Sequence, residues 1–251
     1  MSVSAVLSIG VPIALFLVFR KKFNFKILPM IFGIIGFTLF ALVLESTIHS
    51  LVIGKIIIKE SQPLLFIVYA VFMAGIFEES ARLIAFLILK KKYSGIGTGL
   101  SYGIGHGGTE SILLAGVSLI FTIVMSILIN TGNINLLTGK LSGTALTAMN
   151  AQITQLTTTA PYLFLVSGLE RMIAIAIQLS LSVVMFYAVF GNKKLWLYPA
   201  AIICHAIIDT PAASMQAGLL KSIPLVEILA LVCAVLMVIL AWFIHRSFRE
   251  P

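Results

Sequence analysis

Apolar stretches about as long as a lipid bilayer is thick recur along this chain from one end to the other, and few folds accommodate that pattern. About seven are long enough to cross at ~1.5 Å per residue: residues 3–19, 27–53, 63–89, 95–129, 168–190, 195–214 and 223–245. Of the 251 residues 60% are hydrophobic and 10% charged, whereas soluble domains carry about 25% charged residues. A soluble fold is excluded, and the expected class is all-α, a polytopic membrane helix bundle. No Pro-, Gly- or Ser-rich linker sets off a polar module, so residues 1–251 read as a single transmembrane helical domain.

The formal net charge of +8 does not point to nucleic acid, because the basic residues form short clusters between apolar stretches and no aromatic-interleaved basic face. Arg20, Lys21, Lys22 and Lys26, then Lys90 to Lys92, then Lys193 and Lys194, and finally Arg246 and Arg249 all fall on one side if every stretch crosses. Roughly eleven basic residues then face the cytoplasm and about four face out, which places the N-terminus outside and the C-terminus inside. Lipid headgroups are the expected partners of these clusters. The first stretch lacks a basic n-region and a small-residue cleavage site and reads as a retained helix. A bacterial plasma membrane is the expected location. The outer-face connection, residues 130–167, is nearly uncharged, and Leu146, Met149, Ile153 and Leu156 within it fall at helical spacing. An interfacial helix is expected there. Glu170 and Arg171 read as the solvated start of the following helix, and Glu45 with His49 as an interfacial pair at the outer end of the second.

Ionisable side chains at membrane depth cost several kcal/mol unless paired or facing a wet cavity, so each needs a reason to be there. Three of the stretches carry them. In residues 63–89, Glu78 and Glu79 are followed by Arg82, three to four positions on, where its guanidinium can reach either carboxylate. In residues 95–129, His106 and Glu110 are four apart on one helix face, and in residues 195–214 His205 and Asp209 repeat that spacing. Counted from the nearest basic cluster, Glu78, His106 and His205 lie roughly 16 to 21 Å deep, near the bilayer centre. Gly95, Gly99, Gly103 and Gly107 recur every four residues beside His106 and allow close helix approach.

Two chemistries suit this set. His106, Glu110, His205 and Asp209 could together hold a divalent ion such as Zn2+, with a glutamate deprotonating a water. Without metal, a glutamate and the two imidazoles could activate the water directly. The HExxH motif of many soluble zinc proteases is absent.

The ordered motifs EESAR at 78–82, HGGTE at 106–110 and HAIID at 205–209, each in its own apolar stretch, resemble the YhfC family of intramembrane metalloproteases. That family is similar to the CAAX-processing and bacteriocin-processing peptidases and to PrsW-type proteases. The resemblance implies an intramembrane peptidase acting on a membrane-associated peptide or protein. It implies Glu78 as general base, Glu79 and Arg82 as its electrostatic support, His106 and His205 as water or oxyanion partners and Asp209 as the orienting residue. The relatives' pattern is EExxxR, and here it is EExxR, which changes the angular position of Arg82. Two other readings stand beside it: a silent scaffold resembling the Aph subunit of γ-secretase, and a proton- or ion-coupled transporter.

Overall fold

The computed structural model describes residues 1–248, so Arg249 of the last basic cluster lies outside the described residues. Eight helices of fifteen residues or more account for most of it: α1 (Ser2–Lys22), α2 (Ile27–Val52), α3 (Pro63–Leu89), α4 (Ile96–Asn130), α5 (Gly143–Thr158), α6 (Pro161–Phe190), α7 (Leu197–Gln216) and α8 (Ile223–Ser247). Prolines open α3 and α6, where a missing N–H costs nothing. Two helices widen locally into π-helical turns, α2 over Phe37–Glu45 and α4 over Ser111–Gly116.

Six of the eight, α1, α2, α3, α4, α6 and α8, are long and apolar enough to cross a membrane. The seventh stretch expected to cross became α7, whose 20 residues span ~30 Å. His205, Asp209 and neighbouring hydroxyl residues make it less apolar than the other six. α5 forms where the connection was expected to be helical. Leu146, Met149, Ile153 and Leu156 are its partly covered residues, and it has no fully buried one.

α6 runs through the middle of the bundle and packs against α1, α3, α4, α7 and α8, while α4 packs against α1, α2 and α6. The α4 glycines divide between these neighbours. A Cβ on Gly105 would run into the carbonyl oxygen of Met30 in α2, and one on Gly107 would lie 2.8 Å from Gln178 Cβ in α6. The stripe Gly99, Gly103, Gly107 is therefore the α4–α6 contact. Gly95, first in the sequence pattern, instead precedes the helix at φ +79°, a left-handed turn that favours glycine. On α3, Gly75 lets α7 approach: a Cβ there would sit 3.0 Å from the Ile202 carbonyl oxygen.

The basic clusters gather at one end of the bundle. Gly97 abuts the Phe23 backbone, the rings of Phe86 and Phe190 are 6.2 Å apart, and Lys194 Nζ lies 4.0 Å from the Phe248 ring centroid. Beneath that end is a dry core of Phe86, Tyr102, Leu181, Met185 and Phe186, all fully buried. Large aliphatic side chains instead cover the outward faces, as lipid contact requires.

Candidate active site

Just beyond the dry core, the three motif helices converge with α6. Glu79, Arg82 and His106 are fully buried, and Glu78 is 8% exposed. Glu78 Oε2 is the focus: His106 Nε2–H donates to it at 2.9 Å and Gln178 Nε2–H at 3.0 Å, Arg82 lies 3.5 Å away and His205 Nε2 4.0 Å away. The other oxygen, Oε1, accepts no hydrogen bond among the described residues and is not among the sealed atoms. A water can therefore meet it.

Glu79 has a different surrounding. Its Oε1 accepts from Arg82 at 2.5 Å and from His205 Nδ1–H at 2.8 Å. A carboxylate on Nδ1 fixes the imidazole and directs Nε2 toward Glu78 and toward Asp209, 3.4 Å away. Arg82 reaches both glutamates despite the shortened EExxR spacing, because three- and four-residue steps both lie on one helix face. It also donates to Gln178 Oε1. His106 is held from behind by the edge of the Phe37 ring at 5.4 Å and by Tyr102, whose hydroxyl is 3.5 Å from Nδ1.

Glu110 is joined to this group through Gln178, whose Nε2 donates to Glu110 Oε2 at 2.6 Å as well as to Glu78. Arg171 contacts the second Glu110 oxygen at 3.4 Å and also pairs with Glu170. This corrects the expected solvated helix start at Glu170 and Arg171. Because α6 begins at Pro161, Arg171 lies almost three turns inside it and turns toward α4. The Glu45–His49 pair forms at 3.1 Å, but Glu45 is buried and His49 also meets the Tyr69 hydroxyl, so it is more enclosed than an interfacial pair.

The sequence matches the YhfC intramembrane metalloprotease family over residues 7–245. This chain belongs to the YhfC family. It is 33% identical over 241 residues, covering 95% of its own length and 92% of the relative's, to "Uncharacterized membrane protein YhfC" of Bacillus subtilis (strain 168). No solved structure matches the chain.

The YhfC family name implies a metal ion, and the residues fit one. Among the described residues, Glu78, His106 and Glu110 offer ligand atoms all within 4.8 Å of one another. A tetrahedral ion with bonds of ~2.1 Å needs its ligands roughly 3.4 Å apart, so modest side-chain movement suffices. Charge supports the fit. The carboxylates Glu78, Glu79, Glu110, Asp209 and Glu170 outnumber the two guanidinium groups Arg82 and Arg171, so the group carries an excess of negative charge that a divalent cation would offset. Of the ligand set expected from sequence, His106 and Glu110 belong to this group with Glu78, while His205 and Asp209 lie outside it.

Gln178 and Arg171 are the site residues that sequence reasoning missed or misplaced. One signal was present for Gln178. It is a lone amide in an apolar run, roughly 22 Å from Lys193 by helical rise, the same depth as the motif residues.

Proposed function

We propose that this YhfC family member hydrolyses a peptide bond in or next to the membrane, with Glu78 as the base. The observation that carries this is the split surrounding of Glu78: one oxygen held by His106, Gln178 and Arg82, the other open to water. A carboxylate so fixed needs no reorganisation to accept a proton. Glu78 Oε1 takes the proton of the attacking water and returns it to the departing amine as the C–N bond breaks, and His205, held by Glu79 and 4.0 Å from Glu78, assists that transfer. Arg82 bridges Glu78 and Glu79 and offsets the repulsion between the two carboxylates. Gln178 is a positioning residue, tying Glu78 to Glu110. A divalent ion such as zinc, when bound, would replace the His106–Glu78 hydrogen bond, would be held by Glu78 Oε2, His106 and Glu110 while Glu78 Oε1 stays free as the base, and would polarise the scissile carbonyl as a Lewis acid.

Under this reading residues 1–251 act as one transmembrane domain with seven crossings, α7 included. The basic end faces the cytoplasm, and the substrate is a membrane-associated peptide or protein.

The test uses full-length protein in bilayer nanodiscs with a library of synthetic transmembrane peptides, cleavage being read as new termini by mass spectrometry. Glu78→Gln and His106→Ala should each abolish cleavage, by ~10²–10⁴-fold or more, while the protein still accumulates in membranes. Retained cleavage in both purified variants would sink the proposal. Metal content of the same preparations should fall in His106→Ala and Glu110→Ala, and chelation should remove activity that added zinc restores.

A further inference from the structure

A cavity of about 730 Å³ lies between the outer half of α4, the first turns of α6 and the amphipathic α5. Its α4 wall extends from Leu114 to Met125, roughly 17 Å by helical rise. Its inner end is formed by Leu114 with Glu170 and Arg171, and Arg171 contacts Glu110. The cavity thus ends one helical turn from the candidate site and opens beneath α5. Among the described residues α5 has no buried one, and its main contact with the bundle is along the outer part of α4.

We infer that this cavity binds an extended, apolar peptide segment and leads it to the site at Glu78. The inference rests on the peptidase reading and names how its substrate would arrive. One feature selects a peptide over a lipid chain, and the length and apolar surface of the cavity are compatible with it. Gln152 and Gln155 of α5, with Ser118 of α4 and Ser167 of α6, line the cavity among apolar neighbours, and their side chains make no hydrogen bond among the described residues. An acyl chain has nothing to offer such groups, whereas an extended backbone carries an N–H and a C=O on every residue that must be satisfied at membrane depth. The length is also suitable, because at ~3.3 Å per residue the wall accommodates about five extended residues. Leu119, Phe121 and Met125 supply apolar surface for alternate side chains, as strand-like recognition requires. The volume falls within the usual range for a formed binding site, about 300–1,000 Å³.

α5 is then a cover that shifts to admit the segment, and the Arg171–Glu110 contact marks where the cavity meets the reacting groups. Cleavage by Glu78 would require the segment to remain extended up to that point.

The experiment uses the full chain in nanodiscs with benzoylphenylalanine placed at Ser118 or Leu156 and, as a lipid-facing control, at Leu236. The probe is a synthetic twelve-residue peptide of Leu, Ala and Ser with lysine ends. Both the wild-type chain and Glu78→Gln are irradiated, so that binding is read whether or not hydrolysis occurs. Expected are peptide adducts at both cavity positions and loss of them with Thr122→Trp, which fills the cavity. Gln152→Leu with Gln155→Leu keeps the shape and removes the amides, and should shift adducts from peptide to lipid. Lipid adducts alone at Ser118 and Leu156, or peptide adducts equally strong at Leu236, overturn the inference. Adducts in both backgrounds with no cleavage in either would overturn the peptidase reading and leave the cavity as a peptide-binding site.

Discussion

α7 and α8 follow one another in the chain, and their outward faces are alike: Ile203 and Ile207 of α7 are as exposed as Ile228 and Leu236 of α8. Their inward faces differ. α8 buries Ala234, Met237, Ala241 and Ile244 along α6, whereas α7 buries His205 against Glu79. A hydropathy window averages both faces, so α7 falls below the composition of the other long helices although its outer side is equally suited to lipid. A helix with one apolar outward face and ionisable groups on its buried face thus falls short of a composition threshold that a uniformly apolar helix passes.

That contrast sets the scale of the expected mutational effects. The largest is at His205: replacement by Ala should lower hydrolysis by ~10²–10⁴-fold, whereas Met237→Ala on α8 should leave the turnover of the folded fraction unchanged. Equal activity losses in the two would break the contrast. Next comes Gln178→Leu, which fits the same space and removes the side-chain amide's hydrogen bonds with Glu78, Glu110 and Arg82. Activity or metal affinity should drop ~10–100-fold, with partial recovery in Gln178→Asn, measured as cleavage rate and bound metal. Gly75→Ala should sharpen the picture through packing alone. Its added methyl meets the Ile202 carbonyl of α7, and the cost should be about 1–3 kcal/mol in a denaturant titration, with activity falling as His205 is pushed from Glu79. The smallest effect belongs to Leu236→Ala on the lipid face, within about 0.5 kcal/mol and without change in cleavage.

Much of this organisation was legible in the sequence because membrane burial exaggerates it. Glu78, His106 and His205 stood out against apolar surroundings, and equal depth from the basic clusters brought them to one level. The α5 helix was legible too, since Leu146, Met149, Ile153 and Leu156 repeat at the helical period. What stayed hidden was angular and long-range. Gln178 sits 100 residues from Glu78, and nothing in its own segment names its partners. Arg171 looked like a helix end because Glu170 and Arg171 are the first charged residues after Lys140 and follow a Thr-rich connection, which masks the apolar run Tyr162 to Val166 that already belongs to α6. The grouping of Glu110 with Glu78 and not with His205 depends on how α4 is rotated. That rotation is set by glycine contacts with α2 and α6 on two separate faces.

The π-helical turns at Ser111–Gly116 follow Glu110 directly and run into the start of the cavity wall at Leu114 and Ala115. A wide turn holds an extra residue relative to an α-turn, and in a regular helix one residue is worth about 100° of rotation. α4 is therefore two shafts joined by a phase coupling: the inner one aims His106 and Glu110, the outer one aims Ser118 and Thr122. Removing one residue from the coupling would leave every side chain of both halves in place along the chain and yet point the cavity wall away from its partners. Site and substrate path are held in alignment by a count of residues.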